Sequence, residues 1–280
     1  MILFKKAKAL SKYIYQQKKE GATVGFVPTM GALHKGHLSL IEASVKENNN
    51  TVCSIFVNPT QFNNPDDFTY YPATLEKDIE LLIASGCQAL FLPGKEEIYP
   101  DNYLTKKYEL GNVETVLEGF YRPGHFQGVC QVMDRLFEIV KPDNLYLGQK
   151  DYQQCLVISK LITLLNKQNE IHLHIAPTIR EMDGLAMSSR NLRLSAEQRA
   201  KAAALFAKLV FVKNNLLNQP FAILKKEATE TLHKEGFKVD YFEIADAFTL
   251  LPAINTDQAI IALVAAYIDN IRLIDNLALN

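Results

Sequence analysis

Residues 23–59 read "TVGFVPTMGALHKGHLSLIEASVKENNNTVCSIFVNP". Two short runs rich in β-branched and aromatic residues, 23–28 and 51–59, each close on a proline, and between them Leu38, Ile41 and Val45 recur at helical spacing. Strand, helix and strand in that order make a βαβ unit, because parallel neighbours need a crossover of this length. The unit repeats downstream. "TLEKDIELLIASG" (74–86) predicts a helix closed by Gly86, and "CQALFLP" (87–93) the strand after it. "GVCQVMDRLFEIVKPD" (128–143) predicts an amphipathic helix stopped before Pro142. "NLYLG" (144–148) comes next as a short strand, then "DYQQCLVISKLITLLN" (151–166) as another helix and "IHLHIAP" (171–177) as a strand.

Helices alternating with apolar strands imply an α/β fold: a Rossmann-like, doubly wound parallel sheet covered on both faces. After about residue 176 the texture changes. Helices rich in Ala and Lys (195–216 and 220–237) precede the apolar runs 239–247, 259–268 and 271–279. That pattern predicts a smaller α+β C-terminal domain, with the division at 1–176 and 177–280. No internal repeat or low-complexity segment interrupts either part.

At 280 residues, 48% of them hydrophobic and 22% charged, the chain is long enough for a substantial core. Lys+Arg number 30 against 31 Asp+Glu, so no global positive field is available for nucleic acid. Small-molecule partners are the expectation. Cys53, Cys87, Cys130 and Cys155 lie far apart with no C-x-x-C pair, which argues against a zinc site or a disulfide framework and for reduced packing residues in a cytoplasmic protein. The start shows no signal-peptide pattern, and the longest apolar run, 259–268, is too short to span a bilayer. A soluble protein is expected.

Neither G-x-x-x-x-G-K-[ST] nor G-x-G-x-x-G occurs. The first strand leads instead into Met30-Gly31-Ala32-Leu33-His34-Lys35-Gly36-His37, at the place where a helix should begin. Ligands of open α/β sheets bind beyond the C-terminal ends of the strands, where a helix N-terminus offers N–H groups and its positive dipole end. A triphosphate suits that place: imidazoles there can donate to phosphate oxygens, and Gly36 removes a side chain that would block close approach. By itself an H-x-x-H pair on a turn is more often incidental. A zinc-hydrolase motif would need histidines four apart with a glutamate beside the first, where Lys35 stands. A second element, "GLAMSSRN" (184–191), sets Ser188 and Ser189 beside Arg190 on an expected loop, which could cover phosphates with hydrogen bonds and one fixed charge. The bland alternative is a serine capping the next helix, a task Ser195 already fits.

Together these elements resemble the H-x-G-H and K-M-S-K-S pair of the class I synthetase and nucleotidylyltransferase superfamily. "PTMGALHKGH", "FVNPTQF", "RPGHFQGV", "LGQKDYQQ", "DGLAMSSRN" and "RLIDN" stand in the order characteristic of the pantothenate synthetase family and span Val24 to Asn276. The resemblance implies an ATP-dependent ligase that joins (R)-pantoate to β-alanine through a pantoyl adenylate, releasing pyrophosphate and AMP. It further implies that residues 1–176 bind ATP and pantoate and that 177–280 act as a lid.

By the same resemblance, Met30, Gly31, Ala32, Leu33, His34, Lys35, Gly36 and His37 form the ATP loop, with His37 and His34 catalytic and His37 matching the residue assigned as proton donor. Gly148, Gln149, Lys150 and Asp151 lie at the ATP, Lys150 as a catalytic charge on the α-phosphate. The backbone of Ile179 meets adenine, and Met187, Ser188, Ser189 and Arg190 cover the phosphates. Gln61 and Gln154 hold pantoate, while Gln153 reads as an ordinary surface amide. Arg122 and His125 are placed near the leaving groups. Mg²⁺ is implied as the ATP counterion, bound through phosphate oxygens and water rather than by dedicated protein ligands. Asp78 is the one nearby carboxylate that suggests itself, although an exposed helix residue is the plainer reading. A homodimer is implied as well. Three positions depart from the family pattern: Gln149 for Glu, Thr60 for Met and Gln127 for Arg, the last removing a charge near the pyrophosphate exit. The rival readings are an adenylyltransferase of the same superfamily, a class I tRNA synthetase, and a nucleotide sensor without chemistry.

Overall fold

The computed structural model describes residues 1–63 and 65–280. Six strands form one parallel sheet: β1 (Ile2–Phe4), β2 (Val24–Thr29), β3 (Asn50–Ile55), β4 (Ala89–Phe91), β5 (Asn144–Gly148) and β6 (His172–Ala176), in the order β1-β4-β3-β2-β5-β6. The predicted βαβ unit of residues 23–59 is β2, the helix Lys35–Glu47 and β3, with Val24 opposite Asn50 and Thr29 opposite Ile55. β3 stops at Ile55 instead of reaching Pro59. Proline cannot extend the ladder, and Pro59–Gln61 is a 3₁₀ turn capped by Asn58. Every residue of β3 is buried, as expected of a central parallel strand with both faces covered.

From β2 the chain winds outward through β3 to β4, whereas β5 and β6 lie on the other side of β2. The reversal therefore falls between β2 and β5, and the segments leaving their C-terminal ends begin at Met30 and Gln149. One glycine fixes the approach of the first helix. A Cβ on Gly25 would lie 2.1 Å from Ser44 Oγ, so only glycine lets the helix Lys35–Glu47 come this close to β2. All four cysteines are buried thiols; burial pushes Cys87 up to about 11 and Cys53 well above the ordinary range, so both pack as neutral side chains.

The C-terminal part holds an antiparallel sheet of β7 (Lys238–Asp246), β8 (Ile260–Ile268) and β9 (Ile271–Ala278), with helices Ala196–Ala202, Ala204–Asn215 and Phe221–Lys234. Leu205, Leu209, Leu224 and Leu232 share its core with Ala262, Val264 and Ala266 of β8. The expected single helix over 195–216 is two, divided at Ala203, where three consecutive alanines offer neither breaker nor cap to announce the change. Among the described residues, no helix is long and apolar enough to cross a membrane.

The chain forms two compact units: residues 1–110, 122–148 and 154–177, and residues 111–121, 149–153 and 178–280. Two short segments thus belong with the C-terminal unit, which a single cut after residue 176 misses. Polar bonds explain their membership. Arg272 of β9 makes a bidentate pair with Glu118 at 2.7 and 2.8 Å and reaches Asp240 at 2.8 Å, while Tyr241 donates to Glu118 at 2.9 Å. Gln153 accepts the Glu118 N–H and donates to the carbonyls of Val113 and Val116. Far from a surface amide, Gln153 is buried and holds the 111–121 segment in place.

Candidate active site

In the first unit, the loop after β2 departs from extended backbone at two successive residues, Gly31 (φ +85°) and Ala32 (φ +50°). Successive residues of this kind aim neighbouring N–H groups at one point. Here that point is a protein carboxylate: Asp78 Oδ2 accepts from Ala32 N–H and Oδ1 from Leu33 N–H, both at 2.8 Å. Thr74 Oγ1 adds a third bond to Oδ1 at 3.0 Å. Asp78 is 1% exposed, so the plain expectation of a solvated helix residue is overturned, and its oxygens are committed to the loop, not presented to an ion. A Cβ at Gly31 would come within 3.2 Å of the same carboxylate. Ala32 and Leu33 are themselves buried, and their N–H groups are spent on Asp78.

His34 is the N-cap of the helix Lys35–Glu47, a post usually held by Ser, Thr, Asp or Asn. Its Nδ1 accepts the Gly36 N–H at 3.1 Å, and His37 Nδ1 accepts the His34 N–H at 3.3 Å, with the two rings 4.0 Å apart between centroids. Two imidazoles thereby replace the serine and glutamate of an ordinary capping box. Because each Nδ1 is an acceptor, the bonding assigns both rings the tautomer that carries its proton on Nε2.

Gln61 lies in the 3₁₀ turn after β3. Its Nε2 contacts Met30 Sδ at 3.1 Å, and its Oε1 accepts from Asn58 Nδ2 at 3.1 Å, which also fixes which end of the amide is which. Asn58 is buried and fully engaged: Nδ2 also donates to Gly128 O, and Oδ1 accepts from Tyr99 and Thr60 hydroxyls, each at 3.0 Å. Burial pushes the Tyr99 phenol up to about 12, so it remains a donor. Arg122 and His125, expected near the leaving groups, both donate to the backbone carbonyl of Gln61, at 3.4 and 2.8 Å. Gln127 spends its amide on both backbone groups of Tyr108, a shape-specific bond that an arginine could not copy. Gln154, on the helix Tyr152–Leu164, is half-buried in this unit, as is Gly148 at the end of β5.

The second unit carries Gln149, Lys150, Asp151 and the segment from Ile179 to Arg190. Lys150 Nζ stands 3.9 Å from Asp151 Oδ1, a loose pair, with Lys150 largely buried and Asp151 exposed. Asn276 donates to the carbonyls of Gln149 and Lys150. Residues 179–187 fold into a narrow hairpin: Arg180 bridges Ala186, Met187 N–H donates to Ile179 O, and Gly184 (φ +89°) makes the turn. Ser188 Oγ accepts the Arg190 N–H and caps the 3₁₀ turn Ser189–Arg193, while Ser195 forms a capping box with Gln198 on the helix after it. Both serines therefore cap, each its own element. Met187 and Ser189 are buried; Ser188 and Arg190 are half-buried.

The structure thus gathers Met30, His34, His37 and Gln61 in one unit, and Lys150, Ile179 and Ser188–Arg190 in the other. Asp78, Asn58 and Asn276 were not anticipated as supports of these residues. A signal existed for Asp78: it shares with Leu82 the buried face of the helix Leu75–Ala84, where a carboxylate among apolar positions demands a partner.

A family model described as pantoate-beta-alanine ligase matches residues 2–278. The pantothenate synthetase of Cytophaga hutchinsonii is 43% identical over 100% of this chain and 99% of its own length, and that of Flavobacterium psychrophilum 41% identical over 100% of both. Among solved structures, the pantothenate synthetase of Thermus thermophilus superposes with a TM-score of 0.93 at 40% identity, covering 100% of this chain and 99% of that one. A pantoate-beta-alanine ligase from Francisella tularensis, complexed with beta-gamma ATP and beta-alanine, superposes with a TM-score of 0.84 at 37% identity, covering 99% and 97%.

Proposed function

The chain belongs to the pantoate–β-alanine ligase family and is an ATP-dependent enzyme condensing pantoate with β-alanine; from that premise we propose that (R)-pantoate is activated as a pantoyl adenylate by the residues of these two units. In the first half-reaction a pantoate carboxylate oxygen attacks the α-phosphorus, and the bond to pyrophosphate breaks. In the second, the β-alanine amine attacks the pantoyl carbonyl, and AMP leaves with the carboxylate oxygen. No covalent bond to the protein is needed, so its work is orientation and charge stabilisation.

The observation that carries this reading is the histidine capping box. Both rings are set by backbone bonds to donate through Nε2, at the start of a helix that leaves the sheet where the strand order reverses. His34 and His37 donate to the triphosphate, and the loop Met30–His37, whose Ala32 and Leu33 N–H groups are held by Asp78, seats the two rings. Lys150 neutralises the α-phosphate as it becomes pentacoordinate, with Gly148, Gln149 and Asp151 around it. Gln61 and Gln154 hold pantoate, since a primary amide can donate to a carboxylate and accept from a hydroxyl. Ile179 meets adenine, and Met187, Ser188, Ser189 and Arg190 cover the phosphates.

Mg²⁺ fits only as a companion of ATP. Among the described residues no group of three or more His, Cys, Asp or Glu side chains could hold it, and the Asp78 oxygens are taken by the loop N–H groups. It would supply charge neutralisation on the triphosphate, held by phosphate oxygens and water. A cytoplasmic homodimer completes the reading.

Pantoate labelled with ¹⁸O in its carboxylate tests the route: label is expected in AMP, with AMP release requiring β-alanine. Label in inorganic phosphate would mean an acyl phosphate, and an adenylylated end product would mean a transferase.

A further inference from the structure

The motif "RLIDN" at 272–276 has no part in the proposed chemistry, yet its last two residues are almost wholly buried and fully bonded. We propose that Asp275 and Asn276 are paired positioning residues, adjacent on β9, that separately set the two ATP-handling segments of their unit: Asn276 the Lys150 segment, Asp275 the hairpin leading to Ser188–Arg190. This inference rests on the roles proposed for Lys150 and for that hairpin.

Asn276 Nδ2 donates to Gln149 O at 3.0 Å and Lys150 O at 2.9 Å, and its Oδ1 accepts from Gln149 Nε2 at 3.4 Å. Two successive carbonyls held by one amide fix the peptide planes on either side of the Lys150 Cα, and so the direction in which its side chain departs. Asp275 faces Arg180: its carboxylate takes two guanidinium bonds, at 2.6 and 3.0 Å, the fork geometry that holds a plane as well as a distance. Arg180 also donates to Gly184 O at 3.1 Å and to Asn276 O at 3.1 Å, and its guanidinium lies 3.8 Å over the Phe206 ring. One arginine therefore braces the turn of the 179–187 hairpin and ties it to β9. The Asn276 N–H also donates to Asp275 Oδ1 at 2.7 Å, one more bond that orients this carboxylate toward Arg180. Successive strand residues project to opposite faces, so a single step along β9 serves two segments that are distant in sequence.

Nearly isosteric substitutions separate this from bulk stability. Asn276→Asp replaces the donor with an oxygen facing two carbonyls, and should lower kcat for adenylate formation by about 10²-fold through displaced Lys150 while leaving KM for ATP within a few-fold. Asp275→Asn keeps the shape but loosens Arg180, and should raise KM for ATP by about 10-fold with the smaller effect on kcat. Attack of β-alanine on supplied pantoyl adenylate is the internal control and should be nearly unchanged in both. Asn276→Ser, which keeps a shorter donor, should fall between wild type and Asn276→Asp in adenylate formation. The same kinetic signature from both positions overturns the inference. So does joint loss of both half-reactions in Asn276→Asp and Asn276→Ser, whether by slow chemistry or by unfolding. Wild-type formation of the adenylate checks the proposed function separately.

Discussion

At His34 and His37, each ring gives its Nδ1 to a backbone N–H, and this decides which ring nitrogen can act as a donor. A ring whose Nδ1 accepts offers Nε2 as its donor, and the role proposed for His37 is a hydrogen bond from there toward developing negative charge. Becoming an imidazolium would cost it the bond to His34 N–H. His37→Ala should therefore slow adenylate formation by about 10²-fold or more, as for the loss of one well-placed donor. Attack of β-alanine on preformed adenylate should suffer less. Single-turnover measurement of the two half-reactions separates the cases, and equal slowing of both would reassign the histidine to general structure. Neighbouring polar residues act by the same logic of fixed donors: Gln61 is oriented by Asn58 and Met30, and its backbone carbonyl is held by His125 and Arg122.

Asp78 belongs to the scale of elements, because it ties the first turn of the helix Leu75–Ala84 to the loop after β2 and so joins two otherwise separate pieces of backbone. Asp78→Asn would aim an amide N–H at a backbone donor and leave one buried N–H without a partner. The cost should be about 1.5–3 kcal/mol in urea unfolding, with kcat down about 10²-fold as the histidines lose their seat. Full activity in that variant would show that the loop holds its shape unaided. The helix itself and its βαβ setting were legible in the sequence, since period and punctuation are local: Leu38, Ile41 and Val45 at helical spacing, Pro28 and Pro59 after the strands. The helix face hinted that Asp78 is buried, but its partners lie 46 and 45 residues away, so no local pattern names them. The break at Ala203 lacks a breaker residue, and β1 is three residues on a sheet edge, too short for alternation to register. Of the site, the residue types in the loops were readable as chemistry, whereas the buried amides that orient them, Asn58 and Asn276, look in sequence like any surface polar residue.

For the whole molecule, the two units divide the residues assigned to ATP: the histidine loop is carried by one, and Lys150 with the 179–190 segment by the other. Glu118–Arg272, Gln153 and Asn276 explain why two early segments belong to the C-terminal unit, so any rearrangement of that unit takes Lys150 with the hairpin. An acyl adenylate is hydrolysed where water reaches it, so an enzyme that forms one gains from closing after ATP binds. The 177–280 region is the proposed lid, with Ser188, Ser189 and Arg190 as its contact with the phosphates. Saturating ATP should then slow hydrogen exchange of the amides in residues 183–191, beyond the protection the hairpin's own bonds give in the free enzyme. Arg190→Ala should raise KM for ATP, leave the melting temperature within a few degrees, and abolish most of that added protection. Exchange across 183–191 that is the same with and without ATP would remove the gate and leave Ser188 as the cap it already is, holding the turn Ser189–Arg193 and nothing more.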